Sequence, residues 1–277
     1  MAGQTITNAV AQQEEESTST ALAVRLAKVK DLLETMTPEI AKALPAHVTP
    51  ERMARIALTQ CRSTPKLLTC SAESLVGAVL TCAQLGMEPG PTQEAFLIPR
   101  KGQVTFQLGY KGMAKLFWQH PLAAYLTTAT VRVGDEFDYD LGSNPYLLHK
   151  PNKKERGEPE GHWYAVFKLI NGGFGFAVLD RPGVERRRRK SESPNGFGWS
   201  DNYNEMAEKS CLRDMFDTMP KSAEMARALA WDGAVRTSLD PASIDDAPTV
   251  EDDTVEVGSV ELDEHGWPKV TQPGGES

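Results

Sequence analysis

Through the first third of the chain, apolar residues recur every three or four positions. Thr49-Pro50-Glu51 supplies an N-cap, a proline at the first helical position and an acid in the first turn. Met53, Ile56 and Ala57 then form an apolar stripe that stops near Pro65. Ser71 can cap a second helix, in which Leu75, Val76, Val79, Leu80 and Ala83 repeat at helical spacing until Gly86 and Pro89 end it. Near residue 95 the period drops to two. Segments 95–99 and 104–108 flank Arg100-Lys101-Gly102-Gln103 and predict a β-hairpin that leads through Gly109 into a helix over about 110–119. Segments 126–133 and 136–140 predict a further strand pair. Segments 163–170 and 174–179, joined by Asn171-Gly172-Gly173, give the clearest hairpin signal. Helices over about 204–219 and 222–235 follow. Helices, then antiparallel hairpins, then helices predict an α+β fold with one central antiparallel sheet.

Neither end fits this scheme. Residues 1–20 are rich in Gln, Glu, Ser and Thr without apolar period, and 240–277 are acidic with a few apolar islands, so both read as disordered tails around a 21–239 body. Charge divides along the same lines. The chain carries a formal net charge of −8, yet 240–277 alone holds eleven acidic residues and one basic residue, Lys269. Residues 1–20 add three glutamates, which leaves the body with 29 basic and 24 acidic residues. A mildly basic body thus carries an acidic tail, which either competes for the body's cations, docks a partner or simply solvates the chain.

Enzymatic signatures are absent from the sequence. It contains no GxxxxGK[ST] phosphate loop, GxSxG or HExxH. Cys61, Cys70, Cys82 and Cys211 form no CxxC pair and read as reduced core thiols, and His47, His120, His149, His162 and His265 have no motif-linked partner. In Asp135-Glu136-Phe137-Asp138-Tyr139-Asp140 the acids at 136, 138 and 140 alternate onto one strand face. That face either holds Mg²⁺ or is merely solvated, with Phe137 and Tyr139 pointing inward. No apolar run nears the roughly 20 residues of a membrane span, so a cytoplasmic location is expected.

Cations interleaved with aromatic residues are more informative. On the 110–119 helix, Lys111, Lys115 and Trp118 share a face, and Arg100 and Lys101 occupy the preceding hairpin tip. Arg186, Arg187, Arg188, Arg189 and Lys190 form a run of five cations before a Ser, Pro, Asn and Gly rich loop, and Lys209 and Arg213 stand at i, i+4 beside an apolar stripe. Phosphates want cations and unstacked bases want flat apolar partners, a combination suited to single-stranded nucleic acid.

Several stretches resemble the RecT family of phage single-strand annealing proteins, the RecT and lambda Beta-type recombinases. The most specific are Leu85-Gly86-Met87-Glu88-Pro89, Ala95-Phe96-Leu97-Ile98-Pro99 and Leu108-Gly109-Tyr110-Lys111-Gly112-Met113. Arg62-Ser63, Pro65-Lys66-Leu67, His149-Lys150-Pro151, Trp163-Tyr164-Ala165-Val166, Gly198-Trp199 and Glu205-Met206-Ala207 with Lys209 extend the likeness over about 22–236. The chain departs from it at Gln119-His120-Pro121, where relatives carry Arg-Ser-Gly, and at Asp214 and Asp217, where they carry basic residues.

The resemblance implies a non-catalytic protein that binds single-stranded DNA and an annealed duplex intermediate without ATP. It implies self-assembly into rings or helical filaments in a bacterial host cytoplasm, with a phage exonuclease or a host single-strand DNA-binding protein as further partners. No cofactor or metal is expected, and a Mg²⁺ dependence of DNA binding stays open. Expected DNA contacts are Arg100, Lys101, Tyr110, Lys111, Lys115, Trp118, Lys150, Arg186, Arg187, Arg188, Arg189, Lys190, Lys209 and Arg213. The alternatives are a metal-dependent DNA-processing nuclease and a passive single-strand protector.

Overall fold

The computed structural model describes residues 2–45, 48–155, 157–191, 193–240 and 246–250. Four helical segments come first: α1 (Ala2–Thr35), α2 (Thr37–Ala43), α3 (Pro50–Ser63) and, after a 3₁₀ turn over Pro65–Thr69, α4 (Ala72–Gln84). Thr49 and Ser71 cap α3 and α4 as their sequences predict, accepting from the Arg52 and Ser74 amides at 3.3 and 3.1 Å. α1 reaches into the segment expected to be a tail. Val29 and Leu33 dock its C-terminal half into the core, and once that half is nucleated each added residue extends the helix at little cost.

The β1 (Ala95–Arg100) and β2 (Gln103–Leu108) hairpin turns at Lys101 and Gly102, both at positive φ, and α5 (Tyr110–Gln119) follows as expected. A three-stranded antiparallel sheet comprises β3 (Ala123–Arg132), β6 (Pro159–Leu169) and β7 (Phe174–Asp180), with β6 central. On β6, Trp163, Ala165, Phe167 and Leu169 face the main core, while Tyr164 and Val166 face a second apolar cluster. α6 (Arg181–Lys190), α7 (Phe197–Asp201), α8 (Tyr203–Thr218) and α9 (Ala223–Ala230) close the fold. A short pair follows, β8 (Ala234–Val235) with β9 (Thr249–Val250).

Three expectations need correction. Segment 136–140 does not pair with the strand before it. As β4 (Glu136–Asp140) it pairs with β5 (Tyr146–Lys150), a strand that its flanking prolines disguise in the sequence. The β4–β5 hairpin folds over the sheet and buries Phe137 and Leu147 against Val131, Tyr164 and Val166. It is pinned by the Asp135 carboxylate, which accepts from the amides of Arg132 and Asn152 at 3.0 and 2.8 Å and bonds His149 Nε2 at 3.0 Å. The five-cation run, read as leading into a loop, is itself helical. Asp180 caps it by accepting from the Gly183 amide at 2.8 Å, and Pro182 lies in its first turn. The last helix ends at Ala230 instead of near 235. Gly233, at φ +86°, turns the chain so that its amide bonds Phe106 O at 2.9 Å, and β8 begins. The rest of the acidic segment, 241–245 and 251–277, lies outside the described residues, as does His47.

Candidate nucleic-acid interface

A cleft of about 610 Å³ opens between the β1–β2 hairpin, α6 and α8. Each wall follows from local periodicity. Ile98 and Arg100 are two apart on β1 and project to the same side. Met206, Lys209, Ser210 and Arg213 sit at i, i+3, i+4 and i+7 on α8, one helical face, while Ala207, Cys211, Leu212, Met215 and Phe216 turn into the core. Arg187 and Lys190, three apart, line the α6 side. Three of the four basic elements recognised in the sequence therefore converge on one cleft, which gathers Arg100, Arg187, Lys190, Lys209 and Arg213 around a single lining carboxylate, Asp214.

Carboxylates hold two of the lining arginines. Arg187 pairs with Asp214, and Arg213 pairs with Asp232, whose other oxygen accepts from the Leu108 amide at 2.8 Å. Lys209 is half-buried beside them. Burial draws its ammonium below the ordinary lysine range, Asp232 pulls it back up, and Arg213 pushes it further down. Arg188 leaves the cleft, donating to Pro194 O at 2.7 Å and approaching Glu185 at 3.6 Å, so it braces the following loop. Tyr203 donates to Glu185 at 2.8 Å. Burial and that carboxylate push its hydroxyl up to about 12, so it stays a donor. The Arg181 guanidinium lies 5.8 Å from the Trp163 and Tyr203 ring centres, which ties α6 to α8 and the sheet.

The remaining expected contacts fall elsewhere. Lys101 is exposed at the hairpin tip, and Arg186 and Arg189 point away on α6, Arg189 donating to Glu185 O at 3.3 Å. Tyr110, Lys111 and Trp118 are exposed on α5, outside the cleft lining, with Trp118 54% accessible. Lys115 shares their helix face in sequence but folds onto Gly86 O and Glu94 Oε2, both at 2.8 Å. Lys150 lies on β5 and pairs with Glu136 at 3.1 Å. Trp199 lines the cleft and was not singled out as a contact; its buried indole N–H has no acceptor among the described residues. The motif Gly198-Trp199 was the one signal for it.

The acidic strand gathers no metal set. Glu136 meets Lys150, Asp138 accepts from the Tyr146 hydroxyl and Asp140 from the Gly142 amide at 2.8 Å. Among the described residues no group of three or more His, Cys, Asp or Glu side chains is placed to hold an ion. The four cysteines are free thiols, and burial pushes Cys61 up to about 11 and Cys211 up to about 12. No described helix is long and apolar enough to cross a membrane.

A family model described as "RecT family" matches residues 51–257, which includes every cleft-lining residue. Protein RecT of Escherichia coli (strain K12) is 38% identical over 216 residues, 75% of this chain and 80% of that protein. An uncharacterized protein, YqaK of Bacillus subtilis (strain 168), is 26% identical over 179 residues, 61% of each chain. On this coverage and identity, joined to a fold and a basic cleft built from the matched segments, the chain belongs to the RecT family.

Proposed function

We propose that this protein binds single-stranded DNA along the basic cleft and anneals complementary strands without ATP, acting as an oligomer. The observation that carries this reading is the convergence of Arg100, Arg187, Lys190, Lys209 and Arg213 from three separate elements onto one cleft in a chain whose overall charge is negative. Cations spaced along a cleft suit a phosphate backbone, and contacts to phosphates leave base edges free for a second strand. Stacking of about 1.4 kcal/mol per step then drives pairing, so the protein has only to hold strands extended and shielded from one another. No bond needs to be made or broken.

Assembly along the strand is part of the proposal, since one cleft spans only a few nucleotides and annealing requires many held in register. The exposed Tyr110, Lys111 and Trp118 face of α5 offers a second surface of the same chemistry, for the second strand or for the neighbouring subunit. Resection of duplex ends would supply the single strands for this reaction, and the partners the proposal carries are therefore an exonuclease or a strand-covering protein.

The test mixes two complementary oligonucleotides, one with a fluorophore and one with a quencher, with the protein at low salt, without ATP, and with either Mg²⁺ or EDTA. Quenching faster than in protein-free strands, and lost in Lys190→Gln/Lys209→Met, is the expected result. Binding that slows pairing would replace annealing by passive protection, and Mg²⁺-dependent loss of label would point to a nuclease.

A further inference from the structure

The acidic segment that follows the body has a defined point of departure. Val250, the last described residue, pairs with Ala234 in the β8–β9 ladder. Ala234 lies two residues after Asp232, whose carboxylate already sits on Arg213 of the cleft. Two Cα steps and one strand spacing put Val250 within about 15 Å of Asp232. Beyond it, residues 251–277 carry eight carboxylates and one ammonium, while the cleft carries five cations around one lining carboxylate. The 27 residues that follow can span the distance to the cleft, since an unstructured chain of that length reaches roughly 30 Å. Reach and charge both match.

We infer that the cleft has a second polyanionic ligand, the chain's own acidic segment 251–277, which occupies it in the absence of DNA and competes with the phosphate backbone. The inference rests on the reading of the cleft as a phosphate site. Asp232 on Arg213 and Asp214 on Arg187 show that these guanidiniums accept carboxylates as partners. A tethered segment acts at an effective concentration of about a millimolar, so weak carboxylate contacts suffice to compete with a first DNA strand. Raising salt weakens both ligands, so competition fades as ionic strength rises.

The experiment compares the natural chain with a full-length version whose segment is neutralised (E251Q, D252N, D253N, E256Q, E261Q, D263N, E264Q and E276Q). Binding of a labelled oligothymidylate is measured at 50 and 300 mM salt. Carbodiimide coupling without DNA, read by mass spectrometry, reports amide links from segment carboxylates to Lys190 or Lys209. The expected result is three- to tenfold tighter binding by the neutralised chain at 50 mM, about the inhibition a millimolar tethered competitor gives. The gap should shrink below about twofold at 300 mM, with cross-links that added oligonucleotide suppresses. Equal affinities at 50 mM, or no link to either lysine, overturn the inference while leaving the cleft's DNA binding intact. Cross-links in a chain that binds no DNA at all sustain the segment's contact and remove the nucleic-acid reading instead.

Discussion

Salt should weaken DNA binding by an amount that the cleft's charge fixes in advance. Five cations line it; Asp214 and Asp232 each hold one arginine, and Lys190 and Lys209 supply ammoniums that point substitutions can remove. For single strands the slope of log affinity against log salt is about −0.7 per phosphate neutralised, so Lys190 and Lys209 together should contribute about −1.4. Between 50 and 200 mM salt that contribution is roughly a sevenfold loss per subunit. The perturbation is Lys190→Gln/Lys209→Met. The first residue is exposed on α6, and methionine at 209 keeps the apolar stem of a half-buried lysine packed. Removing both lysines should make the slope shallower by about 1.4 and the loss about sevenfold smaller. Fluorescence anisotropy across a salt series gives the slope, sedimentation gives the number of subunits bound, and thermal unfolding confirms that the variant folds. A folded variant with the parental slope would refute the cleft as the phosphate site. A parent whose affinity ignores salt would refute phosphate neutralisation altogether.

Three further outcomes follow from particular contacts. Lys115→Met should lower thermal stability by about 1–3 kcal/mol, because it strands Glu94 and Gly86 O in a part-buried site, and should leave the DNA salt slope unchanged; calorimetry with the same titration separates the two effects. Gly77→Ala places a Cβ 2.1 Å from the Arg236 carbonyl where α4 packs on β8, so overpacking should cost about 1–3 kcal/mol or more, read as a fall in urea midpoint. The hydrogen bond from His149, followed by that from the Asn152 amide, holds the Asp135 carboxyl down at about 2. A folded value below the unfolded one of about 4 means the stabilisation is complete above pH 4 and is lost as pH falls through 2. Near-UV circular dichroism of the tyrosines under the β4–β5 hairpin should follow that window, and Asp135→Asn should flatten it; an unchanged titration in the variant would remove Asp135 as the cause.

Legibility tracked how local each signal is. Caps at Thr49 and Ser71, the turn at Lys101-Gly102 and the hairpin at Asn171-Gly172 are decided within a few residues, and they fold as read. The partner of segment 136–140 is not a local matter. Alternation shows that Phe137 needs a buried surface, but that surface is the outer face of the sheet, reached only because Asp135 gathers amides from both sides of the hairpin. Lys111, Lys115 and Trp118 share a helix face in sequence, and what separates Lys115 from the others is a glutamate 21 residues earlier. The cleft divides in the same way. Met206, Lys209, Ser210 and Arg213 show as a helical face, whereas the proximity of α6 to β1 depends on tertiary packing that no periodicity reports.

Asp214 and Asp217 stand where the resemblance leads one to expect bases, and Asp214 at least has a structural account. A guanidinium on a bare helix face loses side-chain entropy when it grips a phosphate. Arg187 is already held by Asp214 and Arg213 by Asp232, so both forks are fixed before DNA arrives, at the expense of net attraction. The Arg187–Asp214 pair also joins α6 to α8, so the charge lost to Asp214 helps hold the cleft's two helical walls together. For the proposed reaction that exchange is favourable. Annealing fails if each subunit clamps its strand, because the strands must shift until their bases match, and modest contacts repeated along a filament add up to a firm hold that can still be rearranged locally. A cleft with fewer net charges in fixed positions serves that need better than one with more charges on loose side chains.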